Sequence, residues 1–175
     1  MMSLVRGPKL DSLIRLLDAS PKQGVGVEFG VYKGGTLDTL ATFQPWRAFY
    51  GFDTFSGLPL DHWKEGEPHR VGDFRDTGYL AVAELMPSNV TLLPGLFPAV
   101  AAGLDIPVGF AHVDFDFELS TAAAIGWLRE RVIPGAIVVF DDFDWMHCPG
   151  VRKAIEAAGI EVKQSTEHQV FWVAK

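Results

Sequence analysis

Cysteine is almost missing from this sequence. Cys148 stands alone, so no internal disulfide can form, and a reducing, cytoplasmic location is the expectation. No apolar run approaches the roughly 20 residues that a membrane-spanning helix needs. The N-terminus shows no apolar segment followed by a small-residue cleavage site, so neither anchor nor secretory leader is expected. Positive charge is scarce as well: 15 Lys and Arg face 22 Asp and Glu, a formal net charge of −7. A surface of that sign repels nucleic-acid phosphates and anionic lipid. The nearest approach to a basic patch, His69, Arg70 and Arg75, is diluted by Glu65, Glu67, Asp73 and Asp76. Neither nucleic acid nor membrane is therefore an expected partner.

What is present is ordinary globular material. The 175 residues, 48% hydrophobic and 21% charged, suit one domain, and a chain of this length needs no metal or disulfide staple to bury a core. Leu10, Leu13, Ile14 and Leu17 recur at helical spacing between Pro8 and Pro21. Val25–Phe29 then reads as a buried strand, and a helix is expected over 37–43. Further strands are expected at 48–52, 90–93, 108–113 and 136–140, the last continuously apolar and so central. Helices are expected over 79–86, 97–103 and 150–158, and another runs from a cap at Ser120 or Thr121 to Arg131. Pro134-Gly135 reads as a turn. Two closing strands, 160–163 and 170–173, are separated by a polar turn and so form a hairpin with one antiparallel strand. Alternating strands and helices closed by a hairpin predict a doubly wound, mostly parallel seven-stranded α/β sheet. Residues 56–77, polar and rich in Gly, Pro, His and Asp, form a loop long enough to be a lid, with Trp63 on it.

Ligands of open α/β sheets bind beyond the carboxyl ends of the strands, at the switch point. The first strand ends in Glu28-Phe29-Gly30-Val31-Tyr32-Lys33-Gly34-Gly35. This is not the Gly-x-Gly-x-x-Gly that brings a helix terminus against a pyrophosphate. It suits a cofactor without phosphates, with Glu28 placed to receive a cationic amine. Asp53 ends the second strand, where an acid accepts ribose hydroxyls. Together they point to an adenosine-containing cofactor.

His112-Val113-Asp114-Phe115-Asp116 ends the fourth strand and Asp141-Asp142 the fifth, its neighbour. Carboxylates sharing so small a volume raise each other's pKa unless a cation intervenes. Mg²⁺ prefers such oxygen donors. His112 reads as a core histidine, while His147 and His168 are placed to line the mouth of the site. Asp-x-Asp after an apolar strand also occurs in the haloacid dehalogenase-type Mg²⁺-dependent phosphatases, but there it follows the first strand, and the stretch between Asp116 and Asp141 here holds no lysine. A non-catalytic cofactor-binding partner protein is a further alternative, against which the four clustered carboxylates argue.

Four segments in order, Val27–Thr36, Gly51–Pro59, His112–Thr121 and Pro134–Phe143, resemble the macrocin O-methyltransferase family. That resemblance implies a class I, Rossmann-like fold, S-adenosylmethionine and Mg²⁺ as cofactors, and a small-molecule hydroxyl acceptor such as a sugar or natural-product vicinal diol. It implies metal ligation by Asp114, Asp141 and Asp142, with Asp116 as general base. Glu28, Gly30 and Asp53 match cofactor contacts, and Val31, Tyr32, Gly34, Thr36, Thr54, Gly95 and Asp114 complete the expected cofactor site. Phe171 and Trp172 on the final hairpin belong either to the core or to a homodimer interface.

Overall fold

The computed structural model describes residues 5–175. Seven strands form one sheet: β1 (Val25–Phe29), β2 (Phe49–Asp53), β3 (Val90–Pro94), β4 (Val108–Val113), β5 (Val132–Phe140), β6 (Lys163–Thr166) and β7 (Gln169–Val173). Their spatial order is β3-β2-β1-β4-β5-β7-β6. All neighbours are parallel except β7, which runs antiparallel to both β5 and β6. The order reverses between β1 and β4, so the expected switch point lies there. Five helices cover the sheet: α1 (Pro8–Ala19), α2 (Gly35–Phe43), α3 (Tyr79–Ala83), α4 (Glu118–Arg129) and α5 (Pro149–Ala157). None of the helices among the described residues is long and apolar enough to cross a membrane.

Side chains alternate between the two faces of each strand. Val27, Phe29, Ala111, Val113, Val138 and Phe140 point to the face covered by α4 and α5, where they pack with Ile125, Leu128, Val151 and Ile155. Phe110, Ile137 and Val139 point the other way and pack with Leu13 and Leu17 of α1 and Leu37 and Leu40 of α2. Trp172 packs against the first face and Phe171 against the second, both partly buried. Phe29 is fully buried. Its ring stacks on Phe52 at 5.3 Å and meets Phe97, Phe115 and Trp127 edge-on at 5.1, 5.6 and 6.0 Å. These rings fasten the carboxyl ends of β1 and β2 to α4.

Five local expectations need correction. Residues 97–103 hold only a 3-10 turn, Ala99–Ala101, because Ala102 is extended and Gly103 turns left-handed at φ +78°. Helix α3 ends at Ala83, where the bonds from Leu85 to Val82 and from Met86 to Ala83 tighten the chain ahead of Pro87. Strand β6 begins at Lys163, because Ile160 and Val162 instead pack against the core as a connection. Pro134-Gly135 lies inside β5 as a bulge, with Val132 opposite Val108 and Ile137 opposite Phe110. Finally, neither Ser120 nor Thr121 caps α4. Phe117 holds that position, and the Glu118 amide donates instead to Glu67 Oε1 at 3.3 Å.

Phe29→Ala is expected to destabilise the chain by about 3–5 kcal/mol, measured by urea unfolding. An unchanged midpoint would mean that the ring cluster carries none of the stability.

Candidate active site

A cavity of about 450 Å³ opens beyond the carboxyl ends of β1, β2, β4 and β5. Gly30, Tyr32, Asp53, Thr54, Gly95, Asp114, Asp116, Asp141 and Asp142 all line it. The backbone brings them together by close approach. Gly30 has φ +87°, and a Cβ there would fall onto the Asp114 carbonyl, so only glycine lets the ends of β1 and β4 come this near. Asp53 is held rigidly: Oδ2 accepts the amides of Val31 and Tyr32 at 2.8 and 2.7 Å, and Oδ1 that of Phe55 at 2.7 Å. Tyr32, Phe74, Asp116, Asp142 and His168 combine positive φ with a place in the cavity wall. Backbone strain concentrated in this way is a mark of functional sites.

The other expected cofactor residues lie elsewhere. Val31 and Thr36 line a side pocket of about 30 Å³ that also touches Gly30, Tyr32 and Asp114. Gly34 lines neither space; it precedes α2 with φ +78°. Glu28 lies beneath the floor, 1% exposed, because its position in β1 faces inward beside His112 of β4. Its Oε1 is 2.9 Å from His112 Nδ1. The side chain is therefore committed to the interior and not to the cavity.

His112 Nε2 in turn lies 3.5 Å from Asp141 Oδ2, and Asp141 Oδ1 lies 2.7 Å from the ammonium of Lys9. The same ammonium is 2.9 Å from Asp142 Oδ1. A chain of alternating charge thus runs from Glu28 through His112 and Asp141 to Lys9. Burial alone would push the His112 pKa down, but the neighbouring Asp141 carboxylate and the hydrogen bond and charge of Glu28 outweigh it and raise it to about 10. Burial would likewise raise Asp141, but His112 and Lys9 hold it below the ordinary value.

The remaining carboxylates are relieved less, although Lys9 also pairs with Asp142. Burial, then the Asp141 charge, pushes Asp114 far up. Burial and the Asp142 charge raise Asp116 to about 6, against the pull of a hydrogen bond from the Cys148 thiol at 3.3 Å. Burial and Asp141 also raise Asp142. One oxygen from each of Asp114, Asp116 and Asp142 lies within 4.8 Å of the others. Three hard oxygen donors whose repulsion is only partly offset, by Lys9 at Asp142, fit a divalent cation of the Mg²⁺ kind. Asp141, with both oxygens engaged, is the least free of the four.

His168 lines the cavity, as expected, bonded to Asp144 at 2.6 Å, whereas His147 does not. Trp63 stays outside the wall; Leu58, Pro59, His62 and Phe74 of the long loop line it instead. His62 Nδ1 lies 2.8 Å from Ser120 Oγ. Lys9, His62 and Trp145 were not singled out from the sequence, where each is an isolated polar or aromatic residue without a spacing signal, and Ser120 was read there as a helix cap.

A family profile described as a methyltransferase domain matches residues 27–143, and the chain belongs to that family. Solved structures agree in fold. The O-methyltransferase NovP superposes with a TM-score of 0.80 at 21% identity, covering 96% of this chain and 80% of its own. The calicheamicin methyltransferase CalS11 gives 0.76 at 24%, covering 94% and 76%. An O-methyltransferase from Bacillus cereus, in complex with SAH, gives 0.61 at 15%, covering 100% and 83%. No curated protein matches the sequence. The chain is thus a methyltransferase with the class I, S-adenosylmethionine-dependent fold, and the phosphatase alternative is set aside.

The folded chain holds its imidazolium with a pKa near 10 against 6.5 for a free imidazole. That charge adds stability that is complete below about pH 6.5 and drains away as pH rises through about 10. Metal-free wild type is expected to lose more stability over this window than His112→Gln, measured by urea unfolding at each pH. Parallel profiles would show that the buried charge is not maintained.

Proposed function

We propose that this methyltransferase moves the methyl group of S-adenosylmethionine to a hydroxyl of a small molecule, a sugar or natural-product vicinal diol, with Mg²⁺ at the carboxylate cluster. The observation that carries this reading is the meeting, in one cavity, of the Asp53, Gly30 and Gly95 strand ends with Asp114, Asp116 and Asp142. The names of NovP and CalS11, an O-methyltransferase and a calicheamicin methyltransferase, support the hydroxyl and natural-product readings. The four sequence segments that resemble the macrocin O-methyltransferases support the narrower family.

The donor's adenosine end belongs beside Asp53, Thr54 and Gly95, with the rigid Asp53 carboxylate facing the ribose hydroxyls. Its sulfonium methyl group supplies the electrophile. Bound Mg²⁺ would supply Lewis-acid activation of an acceptor hydroxyl, with Asp114 and Asp142, and Asp141 once freed, as its ligands. Asp116 takes the acceptor proton. Burial holds its pKa above the ordinary carboxylate value, which makes it a better proton acceptor than an exposed aspartate. The Cys148 thiol, fixed in the core at the start of α5, orients it. Leu58, Pro59, Phe74 and Trp145 offer apolar walls for the acceptor, and the His62–Ser120 pair offers a polar group. Much of the rate would come from holding donor and acceptor in line.

Residues 56–77 act as the lid. The loop is tied to itself by Leu58 and Gly72 bonds of 2.9 Å. It is tied to the start of α4 by the Lys64–Glu118 ion pair at 2.7 Å and by Glu67. Its inner residues exclude water from the site while Trp63 stays outside. Lys64→Ala combined with Glu67→Ala is expected to speed amide hydrogen exchange across 56–77 and to raise the KM for acceptor while leaving donor affinity unchanged. Unchanged exchange would remove these two residues as the latch.

The reading is tested by methyl transfer from labelled donor across a panel of diols, with Mg²⁺ and with chelator. Metal-dependent transfer to a diol is expected, and Asp116→Asn is expected to lower kcat by about 10²-fold or more. Equal turnover in that variant would remove Asp116 as base. Transfer that is indifferent to chelator would remove the metal.

A further inference from the structure

We infer that Lys9 is a resident counter-cation of the carboxylate cluster, and that a divalent cation reaches Asp141 and Asp142 by displacing its ammonium. The inference rests on the metal reading above and adds to it a role for the chain's own N-terminal helix.

The placement follows from the strand pattern. Ile137 and Val139 face α1, and Asp141, the next residue of the same parity, continues on that side. Leu13 and Leu17 bury α1 against this face, which sets the first turn of the helix beside the ends of β4 and β5. Pro8 opens that turn, and Lys9 reaches from it into the cavity wall. Its ammonium bridges Asp141 Oδ1 at 2.7 Å and Asp142 Oδ1 at 2.9 Å. Lys22, in contrast, pairs only with Asp18 on an exposed stretch of surface.

The contacts oppose simultaneous use. Asp141 Oδ1 lies 2.7 Å from the ammonium and Oδ2 lies 3.5 Å from His112 Nε2, so both oxygens already face a cationic group while Lys9 remains. A metal ion among the same carboxylates would stand within a few ångströms of the ammonium, and like charges at that separation repel strongly in a partly buried site. The lysine has somewhere to go. Its side chain keeps 27% of its surface exposed, so the flexible stem can carry the charge out to solvent. Metal entry is thus a cation exchange. In its absence the ammonium keeps the carboxylates from forcing the strand ends apart.

Two measurements test the exchange, both independent of turnover. The first is the affinity for Mn²⁺, followed by electron paramagnetic resonance, in wild type, Lys9→Met and Lys9→Arg. Loss of the competing charge is expected to tighten Mn²⁺ binding in Lys9→Met by at least about tenfold, with no tightening in Lys9→Arg. The second uses wild type alone: Lys9 acylation by a small anhydride, followed by mass spectrometry, is expected to accelerate when Mn²⁺ saturates the site, with Lys22 as the invariant control. Unchanged Mn²⁺ affinity in Lys9→Met, or Lys9 acylation indifferent to the metal, would overturn the exchange and leave the metal reading standing. No Mn²⁺ binding by either wild type or Lys9→Met would overturn both.

Discussion

Parallel pairing of β4 with β5 sets Val113 opposite Phe140, and the next residue on each strand is an aspartate. Two carboxylates are thereby forced together at the edge of a hydrophobic sheet, and much of the surrounding structure answers that repulsion. His112 lies fully buried in β4 with its charge shared between Glu28 and Asp141. Lys9 closes the far end of the line from α1. A buried ionic network of this kind is weak evidence for stability, since desolvating its members is costly. Its consequence here is placement: it fixes Asp141 and relates one helix and three strand ends to one another. Asp114, Asp116 and Asp142 are left with raised pKa values, and this less fully compensated side faces the cavity.

The apolar face of the sheet makes such placement possible. Phe29, Phe52, Phe97 and Trp127 lock the ends of β1 and β2 against α4, so Asp53 and Gly30 are held against a dense core. A site supported in this way loses little freedom when ligand binds, and preorganised dipoles and charges are the largest source of electrostatic catalysis. The strained residues lie on the rim, Tyr32, Asp116 and Asp142 among them, where strain turns side chains toward the cavity.

Much of this was legible in the residues. The short apolar runs of Val25–Phe29 and Val108–Val113 and the apolar run ending at Phe140 marked the central strands, and each was closed by the acid or glycine that lines the cavity. The closing hairpin could be read from its polar turn. The errors lie where local signals were outweighed by packing. Pro134-Gly135 carries the signature of a turn, yet the strand continues through it because β4 tolerates the bulge. Glu28, expected as a cofactor contact because it precedes the glycine turn, has its side chain sent inward to His112 by strand parity. Lys9 gave no sign at all, since its partners are more than 130 residues away and only the packing of α1 brings them together. The cap of α4 was missed for a similar reason: its carboxylate comes from Glu67, across a loop.

The central claim is that the cavity at the switch point is built for S-adenosylmethionine. Calorimetric titration of the purified chain with that donor, with NAD as the control, tests it most directly. The account predicts saturable, single-site binding of S-adenosylmethionine and none of NAD, because the glycines after β1 lack the spacing that cradles a pyrophosphate. A folded chain that shows no heat with S-adenosylmethionine, either with Mg²⁺ or with chelator present, would contradict it.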